Sequence, residues 1–121
     1  MNTVQLIGLP TDTNSTFMRG PAKAPARIRN LLSLDMMNSA AECGAELNKD
    51  IPFEDIGDLE LTPDSEQETI EKNVATCLAD GKRPLLLGGD HSVTYPAMKA
   101  IRSHHGPVNI LHVDAHPDLY Q

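Results

Sequence analysis

The sequence predicts an α/β fold with a mainly parallel sheet and helices on its faces. Three observations predict it: short apolar runs that stop at glycine, helix-period stripes between them, and polar clusters directly after the last two runs. Strands alternating with helices in this way need crossover connections, which produce parallel neighbours.

The elements follow in order. Residues 3–9 are rich in Val, Leu and Ile before Gly8 and Pro10, which reads as a short strand entering a loop. The loop TDTNSTFMRGPAKAP is polar and holds Gly20, Pro21 and Pro25. From Ala26 the spacing of Ile28, Leu31 and Leu32 predicts one helical face, and Pro25 suits a first helical position, where a missing N–H costs nothing. The segment FEDIGDLEL reads as a strand ending near Gly57, although its acidic residues are poor strand formers. Ser65 followed by Glu68 fits a capping box, Ile70, Val74, Cys77 and Leu78 make one apolar stripe, and Gly81 ends that helix.

In RPLLLGGDHS a continuous apolar run stops at a glycine pair, the pattern of a strand buried on both faces. Residues 96–104 predict a short helix with Gly106 as its stop, and VNILHVDAH predicts another buried strand over 108–114. No repeat or low-complexity stretch interrupts the series.

The chain has 121 residues, within the ~100 to 200 expected of one domain. Hydrophobic residues make up 40% and charged residues 22%, as in a soluble globular protein. The 10 basic against 17 acidic side chains leave a formal net charge of -7, which excludes the electrostatic footprint of a nucleic-acid binder and is compatible with small cationic substrates. Cys43 and Cys77 form no Cys-x-x-Cys pair, so two free, buried thiols in a cytoplasmic protein is the expectation. The opening MNTVQLIGLPTDT lacks the basic start and apolar length of a signal peptide, and no segment approaches a membrane span.

Ligand sites in open parallel sheets form beyond the carboxyl ends of the strands. Gly88, Gly89, Asp90, His91 and Ser92 follow one predicted strand, and Asp114, His116 and Asp118 follow the next, so the two clusters face one rim. Imidazoles and carboxylates without thiolate suit a divalent ion of intermediate hardness such as Mn, Co, Fe or Zn. If Asp114 belongs to its strand, Asp114 and His116 project to one side, and Pro117 bends the chain so that Asp118 reaches the same centre. Several Asp among the His point to two metals, because a carboxylate bridges ions and an imidazole does not. Taken singly, each piece has a plainer reading: the glycine pair as a tight turn, Asp90 or Ser92 as an N-cap, His91 as a packing histidine. His104 and His105 sit where a helix ends, and His112 reads as a satisfied core histidine.

GGDHS, a strand and then DAHPD resemble the first two metal motifs of the ureohydrolases, the arginase and agmatinase family. Similar too are IGLP, RGPAKAPARIR and the Asp-x-Gly-Asp strand in FEDIGDLEL, so the resemblance spans nearly the whole chain. Ala24 stands in place of a loop glycine, and Pro117 where many members have Thr or Ser; DAHPDLY is similar to the form in plant-type arginases. The resemblance implies an arginase-like three-layer α-β-α fold, here truncated, with residues 1–121 as the amino-terminal part of a single ureohydrolase domain. It implies two Mn ions, with His91 and Asp118 on one, His116 on the other and Asp114 as a bridge. It implies hydrolysis of a guanidino compound, agmatine or arginine, to urea and an amine, with Asp118 carrying the proton to the leaving group, in arginine and polyamine metabolism. A homo-oligomer is implied at full length.

The family's third motif, Ser-x-Asp-x-Asp-x-x-Asp-Pro, is absent from these residues. With four ligands for two ions, the isolated chain is expected to bind manganese weakly, to hydrolyse little, and to associate through the edge at 108–114. Three other readings are an inactive truncated metal-binding or interaction product, a metal-dependent deacetylase-type hydrolase, and a nucleotide-binding module built on Gly88 and Gly89. The deacetylase reading lacks a tandem-histidine motif in the right context, and the nucleotide reading lacks a third glycine.

Overall fold

A computed structural model describes residues 2–34 and 38–118. Its sheet has three parallel strands in the order β2-β1-β3, where β1 is Val4–Leu9, β2 is Phe53–Asp58 and β3 is Arg83–Gly88. Three helices accompany them: α1 (Ala24–Leu32), α2 (Glu66–Ala79) and α3 (Thr94–His105). The chain leaves β1 towards β2 and then crosses to β3 on the other side, so the reversal of strand order falls at the carboxyl end of β1.

Side chains alternate along β1, and each face meets a different layer. Ile7 and Leu9 lie in one cluster with Ile70, Val74, Cys77 and Leu78 of α2 and with Ala97 and Ala100 of α3. The α2 residues are the stripe read from the sequence, and the small alanines of α3 let the two helices pack closely. Burying each large aliphatic side chain here contributes about 1.5–3 kcal/mol. Leu6 points to the opposite face, where α1 lies, and is equally buried. The result is a layer of α2 and α3, a sheet, and a layer of α1, the α-β-α sandwich predicted.

The α1 layer is thin. Its apolar stripe of Ile28, Leu31 and Leu32 stays half in water, and only Pro25 of this helix is buried. Polar ties hold the helix instead: Arg29 donates through Nε to Asp55 at 2.8 Å and through Nη2 to the Gly57 carbonyl at 2.7 Å, and it also pairs with Asp58. This explains why β2 tolerates acidic residues, since Asp55 and Asp58 face the guanidinium.

Four local expectations change. Of the two thiols expected to be buried, Cys77 lies in the core but Cys43 is exposed. The capping box at α2 does not close, because the Ser65 hydroxyl pairs with that of Thr62 at 2.7 Å and makes no side-chain cap. β3 is not buried on both faces: Leu86 packs on the core while Leu85, on the other face, remains 47% exposed. The predicted strand over 108–114 does not form among the described residues; Leu111 and Val113 are 91% and 88% exposed. A two-sided apolar strand gains stability only when both faces are covered, and next to β3 neither layer extends far enough to cover them. Leu119 and Tyr120, part of the DAHPDLY resemblance, lie outside the described residues. No described helix is long and apolar enough to cross a membrane.

Candidate metal centre

The loops after β1 and β3 are stitched together at the carboxyl end of the sheet. Gly89 N–H donates to the Leu9 carbonyl at 3.1 Å and Asp90 N–H to the Thr11 carbonyl at 3.0 Å. A side chain at position 89 would place its Cβ 1.8 Å from the Thr11 carbonyl oxygen, so this approach requires glycine. That is the physical content of the second glycine in GGDHS.

Asp90 then serves as a clasp. One carboxylate oxygen accepts from Ser92 N–H at 3.0 Å and from the Ser92 hydroxyl at 2.5 Å, and the other accepts from Asn14 N–H at 2.8 Å. The capping reading of Asp90 is therefore the right one: it starts a short 3-10 turn, His91–Val93, that leads into α3. With both oxygens engaged, Asp90 leaves His91 as the exposed donor of this loop.

The segment 108–118 brings the second cluster back over the first. His91 Nδ1 lies 2.6 Å from an Asp118 oxygen. Asp118 has φ 48, a left-handed conformation that Asp accepts more readily than most residues, and it follows Pro117, so the chain turns its carboxylate towards His91. Asp114 accepts a hydrogen bond from His116 N–H at 2.9 Å. That bond, and then the neighbouring imidazoles of His112, His116 and His91, hold the Asp114 carboxyl below its usual range despite a smaller opposing effect of burial.

Donor atoms of His91, His112, Asp114 and Asp118 all lie within 4.8 Å of one another. Three of the four residues predicted as metal ligands thus come together, His91, Asp114 and Asp118. The fourth, His116, stands aside: its ring is 79% exposed and its Nδ1 is 3.5 Å from Asp114. His112 takes the place beside the cluster, 3.5 Å from Asp114, its ring centroid 5.5 Å from that of His91. It is an exposed residue and not the core histidine expected. Its even spacing from Asp114 and His116 would put all three on one side only of an extended chain, so spacing did not single it out.

Beside the cluster lies an open cleft of about 660 Å³. One wall is the loop after β1, from Asn14 to Arg19; the other is Asp90, His91, Ser92 and Asp118. Two imidazoles and two carboxylates converging on one point, with no thiolate, form a donor set that fits Mn, Co, Fe or Zn.

The chain as a whole is similar to known proteins. The model of the Arginase family matches residues 2–121. A mitochondrial arginase 1 of Oryza sativa subsp. indica is 42% identical over 125 residues, which cover 95% of this chain and 37% of the relative. A mitochondrial agmatinase of Gallus gallus is 37% identical over 116 residues, covering 93% of this chain and 32% of that protein. Among solved structures, the arginase from Medicago truncatula superposes with a TM-score of 0.88 at 36% identity, over 98% of this chain and 41% of its own. The chain therefore spans about two fifths or less of the proteins it matches. Several plant relatives carry mitochondrial or chloroplastic in their names, which overturns the cytoplasmic expectation. That expectation came from the composition of the first residues and the free cysteines, neither of which reports an address.

Proposed function

The chain belongs to the arginase family, and from that premise we propose that residues 1–121 are the amino-terminal part of one ureohydrolase domain. The domain hydrolyses a guanidino compound, arginine or agmatine, to urea and an amine. The observation that carries this reading is the convergence of His91, Asp114 and Asp118 at the strand-order reversal, where a sheet of this kind holds its ligands. A deacetylase or a nucleotide-binding module finds no such support.

In the working site His91 and Asp118 would hold one manganese ion and His116 the other, with Asp114 as the carboxylate available to both. His116 reaches the site once 108–114 is held extended, because it then shares a side with Asp114. Such ions supply Lewis-acid stabilisation of developing charge and an ionised water near neutral pH. The chain's own residues do the rest. Asp118, whose carboxylate lies 2.6 Å from His91, would take the proton released by the attacking water and deliver it to the departing amine. Asp90 fixes the loop that presents His91, and the Asn14–Arg19 wall receives the substrate's far end. The acidic balance of the chain favours a cationic guanidinium. Assembly into a homo-oligomer belongs to the same proposal.

Urea release by the full gene product and by this 121-residue chain, each with Mn and with arginine, agmatine or guanidinobutyrate, tests the reading. Activity in the full product and little in the short chain is the expected pair of results. Silence of the full product on every guanidino substrate, with Mn still bound, would sink it. In the active protein Asp118→Asn should lower kcat by about 100-fold to 10,000-fold.

A further inference from the structure

Glu66 is a carboxylate 6% exposed at the first position of α2, and among the described residues no Lys, Arg or His pairs with it. Burying a carboxylate is costly unless its oxygens are satisfied. Glu66 meets that cost with neutral donors, all from the loop after β1: the Thr11 hydroxyl at 2.6 Å, the Thr13 hydroxyl at 3.0 Å to each oxygen, and Asn14 Nδ2 at 3.0 Å. The start of α2 adds favourable helix-dipole interaction.

These donors run directly into the residues that wall the cleft, with Asn14 belonging to both. Asn14 is the link: while its amide donates to Glu66 and to the Ser92 hydroxyl at 3.1 Å, its backbone N–H donates to Asp90. A core residue would serve α2 equally well as a plug. A charged acceptor that gathers three side chains of one loop instead specifies that loop's conformation.

We propose that Glu66 is a positioning residue that sets the Asn14–Arg19 wall of the cleft and thereby the affinity for substrate. The proposal rests on the guanidino-hydrolase reading above. His91 keeps its place without Glu66, because the backbone bond of Gly89 to Leu9 and the bonds of Ser92 to Asp90 hold its turn without the residues that Glu66 gathers. Loss of Glu66 therefore acts on substrate binding more than on turnover.

Glu66→Gln keeps the shape but turns one acceptor into a donor that faces the Asn14 amide. In the full gene product it should raise KM roughly tenfold, the effect of one or two lost charge-assisted hydrogen bonds, and leave kcat within about twofold. Hydrogen exchange of amides in residues 12–20 should accelerate by roughly tenfold while those of α2 keep their protection. Asn14→Ala, which leaves the buried carboxylate with its two hydroxyls, should reproduce the KM rise, and the double variant should add little to either single one. The proposal is overturned if KM and loop exchange are unchanged in Glu66→Gln, if α2 loosens as much as the loop, or if the two substitutions are fully additive. Exchange needs no substrate, so a wild-type protein silent on guanidino compounds would refute the proposed activity while the positioning role was still read from the amides.

Discussion

The loop after β3 and the segment 108–118 carry the same chemistry on different foundations. The first stands on a strand paired to β1, on backbone bonds to Leu9 and Thr11, and on the Asp90 clasp. The second has a turn at Asp114, one contact from Asp118 to His91, and apolar residues in water. The first is rigid in its own right, and the second depends on what covers it. A motif's residue types are local in the chain, while its coordinates belong to the neighbours beneath it.

Stability measurements sharpen that contrast most strongly. Ile70→Ala should cost about 2–5 kcal/mol in urea denaturation of the 121-residue chain, whereas Val113→Ala should stay within about 0.5 kcal/mol. Equal losses would mean that 108–113 is packed in solution and that the contrast is false. Next in size, Gly89→Ala forces a methyl group against the Thr11 carbonyl and should cost about 1–3 kcal/mol by the same measurement. A neutral result there would remove the seam between the two loops as the foundation of His91.

The smallest effect concerns pH. Glu54 on β2 accepts from Lys82 Nζ at 2.7 Å and from Gln5 Nε2 at 2.9 Å, and these bonds, that of Lys82 first, hold its carboxyl below the ordinary value. A depressed value means that the contribution is present above the unfolded-state pKa and is lost as pH falls through the folded one. The melting temperature of wild type should exceed that of Glu54→Gln near neutral pH, and the gap should close towards about pH 3. A gap that widens on acidification would contradict the assignment.

The legible parts of this fold were those written in short-range pattern. The stripe Ile70, Val74, Cys77 and Leu78 identified α2, and the apolar run before Gly88 identified β3, because each period depends on few residues. Where burial rather than period decided, the reading failed. The α1 stripe and Leu85 are apolar but half-exposed, and 108–114 has a strand's composition without the layers that would make it one. The convergence of His91, Asp114 and Asp118 was legible as a candidate ligand set by chemical type. The exchange of His116 for His112 was not, because it turns on whether a segment is extended or folded back, which no spacing encodes. Glu66 gave no signal either, since it resembles any acidic residue in a first helical turn and its partners lie about fifty residues away in the chain.

Of the three described strands, the middle one of the sheet is synthesised before the other two. β1 pairs with β2 through Val4 and Phe53, and with β3 through Leu9 and Gly88, so its second partner is made about 80 residues after it. At about 5–20 residues per second, the ribosome exposes VQLIGL for some 4–16 s before both edges can close. For that interval a segment that ends enclosed on both sides is an unpaired, uncharged β-former, open to wrong partners until both of its edges close.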